Sequence, residues 1–153
     1  MLRDNMPIAL PLHLAVDNDD LAGIDFDQAP ADMGSFIVPF KCEISEAQIH
    51  VTETCAGGTT TPVVALDLRP TLGSDASRGA ADIANFVLGT TAAGKVIYDK
   101  AARGTILEPG DEVVVQLVTQ ATGTGAAGHG IPCLLVVPIP EVDGNLSGKV
   151  VTA

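Results

Sequence analysis

The most conspicuous chemical motif in the chain is a G-x-G-x-x-G at Gly123, Gly125 and Gly128, with Asp143 twenty residues after the first glycine. In a dinucleotide site such glycines let the backbone approach a pyrophosphate, and the third opens a helix whose N-terminus faces the charge. Here the next residues are His129, Gly130, Ile131 and Pro132, leading into an apolar β-type run. The context therefore predicts a flexible loop between strands, not a phosphate cradle. Asp17, Asp19, Asp20, Asp25 and Asp27 have the composition of a calcium loop. Read as an EF-hand, however, the stretch puts Leu21 at a ligand position, Ala22 at the required glycine and Gln28 where a terminal Glu belongs. A solvated acidic segment is the expected reading, with a looser divalent-ion site as the alternative.

The remaining reactive residues do not assemble into a catalytic set. His13, His50 and His129 fall in an arm, a strand and a glycine loop, and no two have metal-ligand spacing. No serine sits in a G-x-S-x-G elbow. Cys133 and His129 are four apart, but on extended chain around a proline they would not face each other. The three cysteines, Cys42, Cys55 and Cys133, are odd in number and lack any C-x-x-C, which argues against a disulfide framework and a zinc site. Cys133 is expected as a small core residue, and Cys42 could pair with Cys55 only if two strand ends meet. A reducing cytosol fits this usage. We assign no catalytic residue, no metal ligand and no cofactor, and expect a protein that is not an enzyme.

The elements that carry these residues read as an all-β, antiparallel β-sandwich or jelly-roll-like single domain. Residues 1–33 form a first zone: an apolar piece, then an acidic stretch holding most of the chain's seven early aspartates against one arginine. Pro7, Pro11 and Pro30 exclude a continuous helix there. The zone is expected to be an extended arm or an edge strand. Its candidate partner-contact residues are Ile8, Leu10, Leu12, Leu14 and Val16, which would pack into a groove or lengthen a sheet edge of a neighbour. The equal alternative is that this piece is simply the first strand of the chain's own sandwich.

Residues 34–140 are strand after strand. Residues 35–40 form a short β run whose Pro39 suggests an edge or bulge. Residues 43–54 alternate, with Ile44, Ala47, Ile49 and Val51 facing inward and a bulge near Ser45 and Glu46. Residues 62–69 read as another strand. Residues 82–88 and 95–99 flank a small-residue hairpin loop at 89–94. Pro109 and Gly110 suit a type II turn that leads into the β-branched run 112–119. Residues 131–139 are the last strand, with Pro132 and Pro138 confining it to an edge or limiting its length. The best helix candidate, residues 77–86, amounts to one short turn. Residues 141–153 look like a polar tail.

A chain of 153 residues suits one domain with a sizeable core. Its net charge of −11 and scattered basic residues (Lys41, Arg69, Arg78, Lys95, Lys100, Arg103) exclude a phosphate-binding patch, so no nucleic-acid partner is expected. The absence of Trp and the single Tyr weigh against sugar or base stacking. No apolar run approaches the ~20 residues that cross a bilayer, and the N-terminus is a poor signal peptide. The small-residue loops at 57–61, 89–94 and 123–130 are either partner contacts or plain connections.

The stretches GTTTPVVALDLRPTLGSDASRG, FVLGTTAAGKVIYDKA and ILEPGDEVVVQLVTQATG resemble those of tailed-bacteriophage capsid decoration (cement) proteins with a β-sandwich core. The resemblance covers about residues 34–140. It implies a homotrimer made in the host cytoplasm and seated on the outer capsid surface, with the major capsid protein as partner, stabilising the shell against internal DNA pressure. It carries over no residue role, because that group has no catalytic motif to match. The competing expectation is a receptor- or glycan-binding module of a head fibre or tail.

Overall fold

The computed structural model describes residues 7–11, 22–70 and 79–140. Ten strands follow one another: β1 (Ile8–Pro11), β2 (Ile24–Asp25), β3 (Ala31–Ile37), β4 (Cys42–Ala56), β5 (Val63–Arg69), β6 (Ala81–Val87), β7 (Val96–Asp99), β8 (Ile106–Leu107), β9 (Glu112–Thr119) and β10 (Ala127–Pro138). The pairing is nested. β5 pairs with β6, β4 with β7, β3 with β9 and β1 with β10, all antiparallel, as if one long hairpin had its tip between β5 and β6. Curling that hairpin brings β10 beside β4 and β9 beside β5. The result is two sheets, of order β1-β10-β4-β7 and β3-β9-β5-β6, with β2 added to β10 and β8 to β4. This is an antiparallel sandwich with jelly-roll connectivity.

Period-2 alternation builds the core between the sheets. Val113, Val115 and Leu117 of β9 face inward with Val64, Leu66 and Leu68 of β5, and meet Ile44, Ala47, Ile49, Leu134 and Val136 of the other sheet. Each of the larger of these side chains contributes about 1.5–3 kcal/mol by leaving water. Along β4 the inward positions change parity between Ile44 and Ala47. Leu135 pairs with Glu46, but Val136 pairs with Ile44, so Ser45 is the extra residue of a bulge where the sequence pattern slips. The turn before β9 matches expectation too. Gly110 has a φ of 92° and the Asp111 N–H donates to the Glu108 carbonyl at 3.1 Å.

Four expectations are corrected. The last strand is central, not an edge: β10 runs between β1 and β2 on one side and β4 on the other. It tolerates Pro132 because β2 pairs only with His129 and Gly130, and β1 only from Cys133 onward. Pro132 therefore lies at the break between them, where a missing N–H costs no ladder bond. Where it is described, the helix candidate is strand β6 from Ala81 on, in keeping with the strand read at 82–88. Its buried Ile83 and Phe86 are three apart only because a register shift opposite Leu66 and Asp67 inserts a residue, which imitates helical spacing. The loop at 89–94 is not a hairpin but a crossing between sheets. Residues beyond it run along β4, where Val51 N–H donates to the Lys95 carbonyl and Gly94 N–H to the Val51 carbonyl. The boundary drawn at 33/34 falls inside β3, so the sheet begins earlier than the alternation suggested.

The cysteines also find their places. Cys42 and Cys55 are the first and fourteenth residues of β4, roughly 40 Å apart at ~3.3 Å per residue, so they cannot pair. Both are buried free thiols, pushed up to about 11 chiefly by burial. Cys133 is not a core residue: it is half-buried on the outward face of β10, opposite Gln48.

Candidate interaction surfaces

The connections β2–β3, β4–β5, β6–β7 and β9–β10 emerge at one end of the sandwich, and hydrogen bonds join them into one surface. Thr59 N–H donates to the Thr122 carbonyl and Thr122 N–H to the Thr60 carbonyl. Thr60 Oγ1 donates to the Gln120 carbonyl at 2.8 Å and lies 2.5 Å from Thr122 Oγ1. Cys55 N–H reaches the Thr91 carbonyl, and Ala93 N–H the Thr54 hydroxyl. The three small-residue loops singled out in the sequence thus form a single ordered rim.

Phe26 anchors that rim. Its ring is fully buried, its N–H donates to the Gly128 carbonyl and its carbonyl accepts from Ala121 N–H. A Cβ on Gly130 would come within 2.7 Å of the Phe26 ring, and one on Gly128 within 3.1 Å. Gly128, the third glycine of the G-x-G-x-x-G, therefore makes room for an aromatic ring rather than for phosphate. No helix follows it; it already lies in β10.

Above Phe26 a row of side chains crosses three strands, with His129 opposite Asp25 on one side and Glu53 on the other. His129 Nδ1 lies 2.5 Å from Glu53 Oε2, which also accepts the Gly128 N–H at 3.2 Å. Neighbouring Asp27 donates its N–H to Asp25 Oδ1, and the hydrogen bond and charge of Asp25 hold the Asp27 carboxyl above its ordinary range. Among the described residues, no group of three or more His, Cys, Asp and Glu is arranged to hold a metal ion. Asp17, Asp19, Asp20 and His13 lie outside the described residues. His129 and Cys133 share the outward face of β10, ~13 Å apart along the strand.

The two outward faces differ. On the sheet of β3, β9, β5 and β6, Arg69 bridges across β9 to Asp32 at 2.7 Å, and Gln116 donates to the same carboxylate at 3.3 Å. Val118, Val63 and Val87 mark its loop end, with Val87 69% exposed. Asp67 stands directly opposite Asp82, and burial first, then the Asp82 charge, raises the Asp67 carboxyl. A carboxyl raised in the fold adds stability that is complete below its unfolded pKa and lost as pH rises through the folded value. Neutral pH thus carries the whole penalty. Asp82→Asn should stabilise the protein by up to about 1 kcal/mol at neutral pH. The gain should fade below about pH 4, as urea midpoints at the two pH values will register. An equal gain at both would show that the Asp67–Asp82 repulsion plays no part.

No family model, no curated protein and no solved structure matches the chain. Its surfaces must therefore be read from their own chemistry.

On the sheet of β1, β10, β4 and β7, the outward positions of β10 are all apolar from Ile131 through Cys133 and Leu135 to Val137. Their neighbours on β4 are His50, Gln48, Glu46 and Glu43. The predicted contact residues divide here. Leu10 is only 5% exposed and pairs with Leu134, so it is spent in the chain's own core, whereas Ile8 is 44% exposed at the sheet edge. Leu12, Leu14 and Val16 lie outside the described residues. What the sequence reading missed is the apolar stripe of β10. The signal was there in the unbroken run Ile131 to Val137, which is apolar at both parities.

Proposed function

We propose that this chain is a virion structural protein, a decoration (cement) protein that binds the outer surface of a tailed-phage head and stabilises the shell. In this reading it acts through contact area and has no catalytic role, cofactor or nucleic-acid partner. The observation that carries it is the combination of a jelly-roll body with a solvent face made apolar along its central strand. Jelly rolls recur among viral capsid domains, which supports the reading as analogy of fold. An oligomer gripping several shell subunits gains by multivalency, because later contacts are effectively intramolecular. Contacts of about 1,000 Å² or more would be specific enough to resist outward pressure. A surface of net charge −11 would not compete for packaged DNA.

The expected result is that purified protein added to empty capsid shells co-sediments with them and raises their melting temperature. Protein that leaves the shells unbound and their melting unchanged overturns the proposal. A second reading, a receptor- or glycan-binding module of a head fibre or tail, is favoured by one feature. Tyr98 is 56% exposed on an outward face, and lectin domains also use jelly rolls. Binding to host cells or a glycan array would support it instead.

A further inference from the structure

We propose that the outward face of the β3-β9-β5-β6 sheet docks a basic, partly apolar segment of another protein. The partner's apolar side chains would lie on Val63, Val87 and Val118, and its lysine or arginine over Asp67 and Asp82. The inference deepens the decoration reading, because it names the face turned to the shell and the chemistry required there. It rests on that reading only for the identity of the partner.

Exposure marks the face. Six large apolar side chains are exposed among the described residues, and three of them, Ile37, Val87 and Val118, belong to this one sheet. Val87 is 69% exposed and stands directly opposite Val63. Val63 pairs with Thr119 and Val64 with Leu117, so the extra residue of that bulge, Val118, is set beside the valine pair. Single exposed apolar residues are ordinary, whereas a cluster of them rimmed by polar groups marks an interaction site. From Val87 to Asp82 the face runs roughly 16 Å, a span that about six residues of extended chain would cover. Between those two ends lie the small Ala65 and Asn85, opposite each other, so nothing bulky obstructs a bound segment.

Charge selects the occupant. The outward residues of this sheet include Asp32, Asp67, Asp82 and Glu112, and Arg69 is the one base among them. Arg69 is already engaged, at 2.7 Å from Asp32. Asp67 and Asp82 therefore face each other across β5 and β6, and within the described residues neither has an ion pair. Burial first, and the Asp82 charge next, raise the Asp67 carboxyl, so the pair is a standing cost to the free chain. A partner's cation would remove that cost. A second copy of this face, a phosphate backbone or an anionic lipid surface would add to it, since like charges brought together are penalised. The carboxylates of the loop end lack this frustration, because His129 already stands between Asp25 and Glu53.

The test gives the full chain two synthetic peptides, one alternating valine with arginine and one valine with glutamate, and follows the backbone amide signals of the protein. The arginine peptide should shift the signals of Val63, Asp67, Asp82 and Val87, and the glutamate peptide should shift none. Asp82→Asn should weaken the arginine peptide about fivefold even though it stabilises the free chain. Val87→Ser should weaken it by a similar factor through lost apolar contact. A carboxylate pair with a merely structural role would not set stability against binding in this way. Absence of binding, shifts confined to another surface, or an affinity that Asp82→Asn leaves unchanged overturns the proposal. Empty shells carry the same variants to the partner, and both should bind shells more weakly than wild type. Shell binding that survives both substitutions overturns the docking face and leaves the decoration reading standing. Wild-type protein that ignores shells ends that reading, while a peptide mapped to this face would retain the docking surface.

Discussion

Phe26→Ala should destabilise the protein by about 3–5 kcal/mol and lower its melting temperature by roughly 10 °C or more. Truncating a buried Phe removes its transfer energy and leaves a cavity whose cost depends on how far the surroundings can collapse. Here they cannot. The ring is seated against Gly128 and Gly130, which have no side chains to swing into the void, and their backbones are fixed in the long β10–β4 ladder. The cost should therefore fall at the upper part of the range. Because Phe26 also ties the β2 connection to Gly128 and Ala121 through its own backbone, the rim should loosen with it. Faster hydrogen exchange at Thr59 and Thr122, whose N–H groups bond across the rim, would report that second effect. A loss under about 1 kcal/mol would mean that the ring is not a core element.

Much of the fold could be read from the sequence where local pattern and pairing agree. The β-branched run 112–119 and the strand read at 62–69 follow from composition, and the bulge near Ser45 and Glu46 follows from period-2 positions that slip by one residue. The Pro109-Gly110 turn needs only its own residues. The failures share one cause: each depended on a partner distant in the chain. The strand read at 82–88 holds, but the short helical turn offered at 77–86 does not where it is described: a bulge opposite β5 merely sets Ile83 and Phe86 three apart. Pro132 argued for an edge because nothing local reveals that β1 and β2 leave a gap at that rung. The loop at 89–94 has the composition of a hairpin, and only its bonds to β4 carry it to the other sheet.

The candidate surfaces were less legible. His129 and Glu53 are 76 residues apart, and no spacing rule predicts their meeting. The G-x-G-x-x-G advertised a phosphate loop, but its third glycine exists to admit a phenyl ring, and that ring sits in a segment whose acidity drew the eye away from Phe26. Conversely, the apolar arm attracted a partner role, although Leu10 at least completes the chain's own core. The apolar stripe was visible as composition, but its outward direction required the register of β10 against β4.

The same close packing predicts a large effect from one added methyl group. Gly23 has a φ of 96°, in the left-handed region that a side chain occupies only at a cost, and it precedes the two-residue strand β2. A Cβ there would overlap the carbonyl of Gly130, lying 2.7 Å from its carbon and 2.8 Å from Ile131 Cγ1. That carbonyl belongs to the ladder β10 shares with β2 and β4, so it cannot retreat without breaking pairs. Gly94 makes the natural comparison: its φ is 80°, yet a Cβ there would meet nothing within 4 Å. Gly94→Ala should cost about 1 kcal/mol, the backbone penalty alone. Gly23→Ala should cost about 3 kcal/mol or more, as strain and overlap add. Urea unfolding of the two variants measures the difference directly. Equal losses would mean that β2 does not press on β10, and the row formed by Asp25, His129 and Glu53 would lose the contact that aligns it.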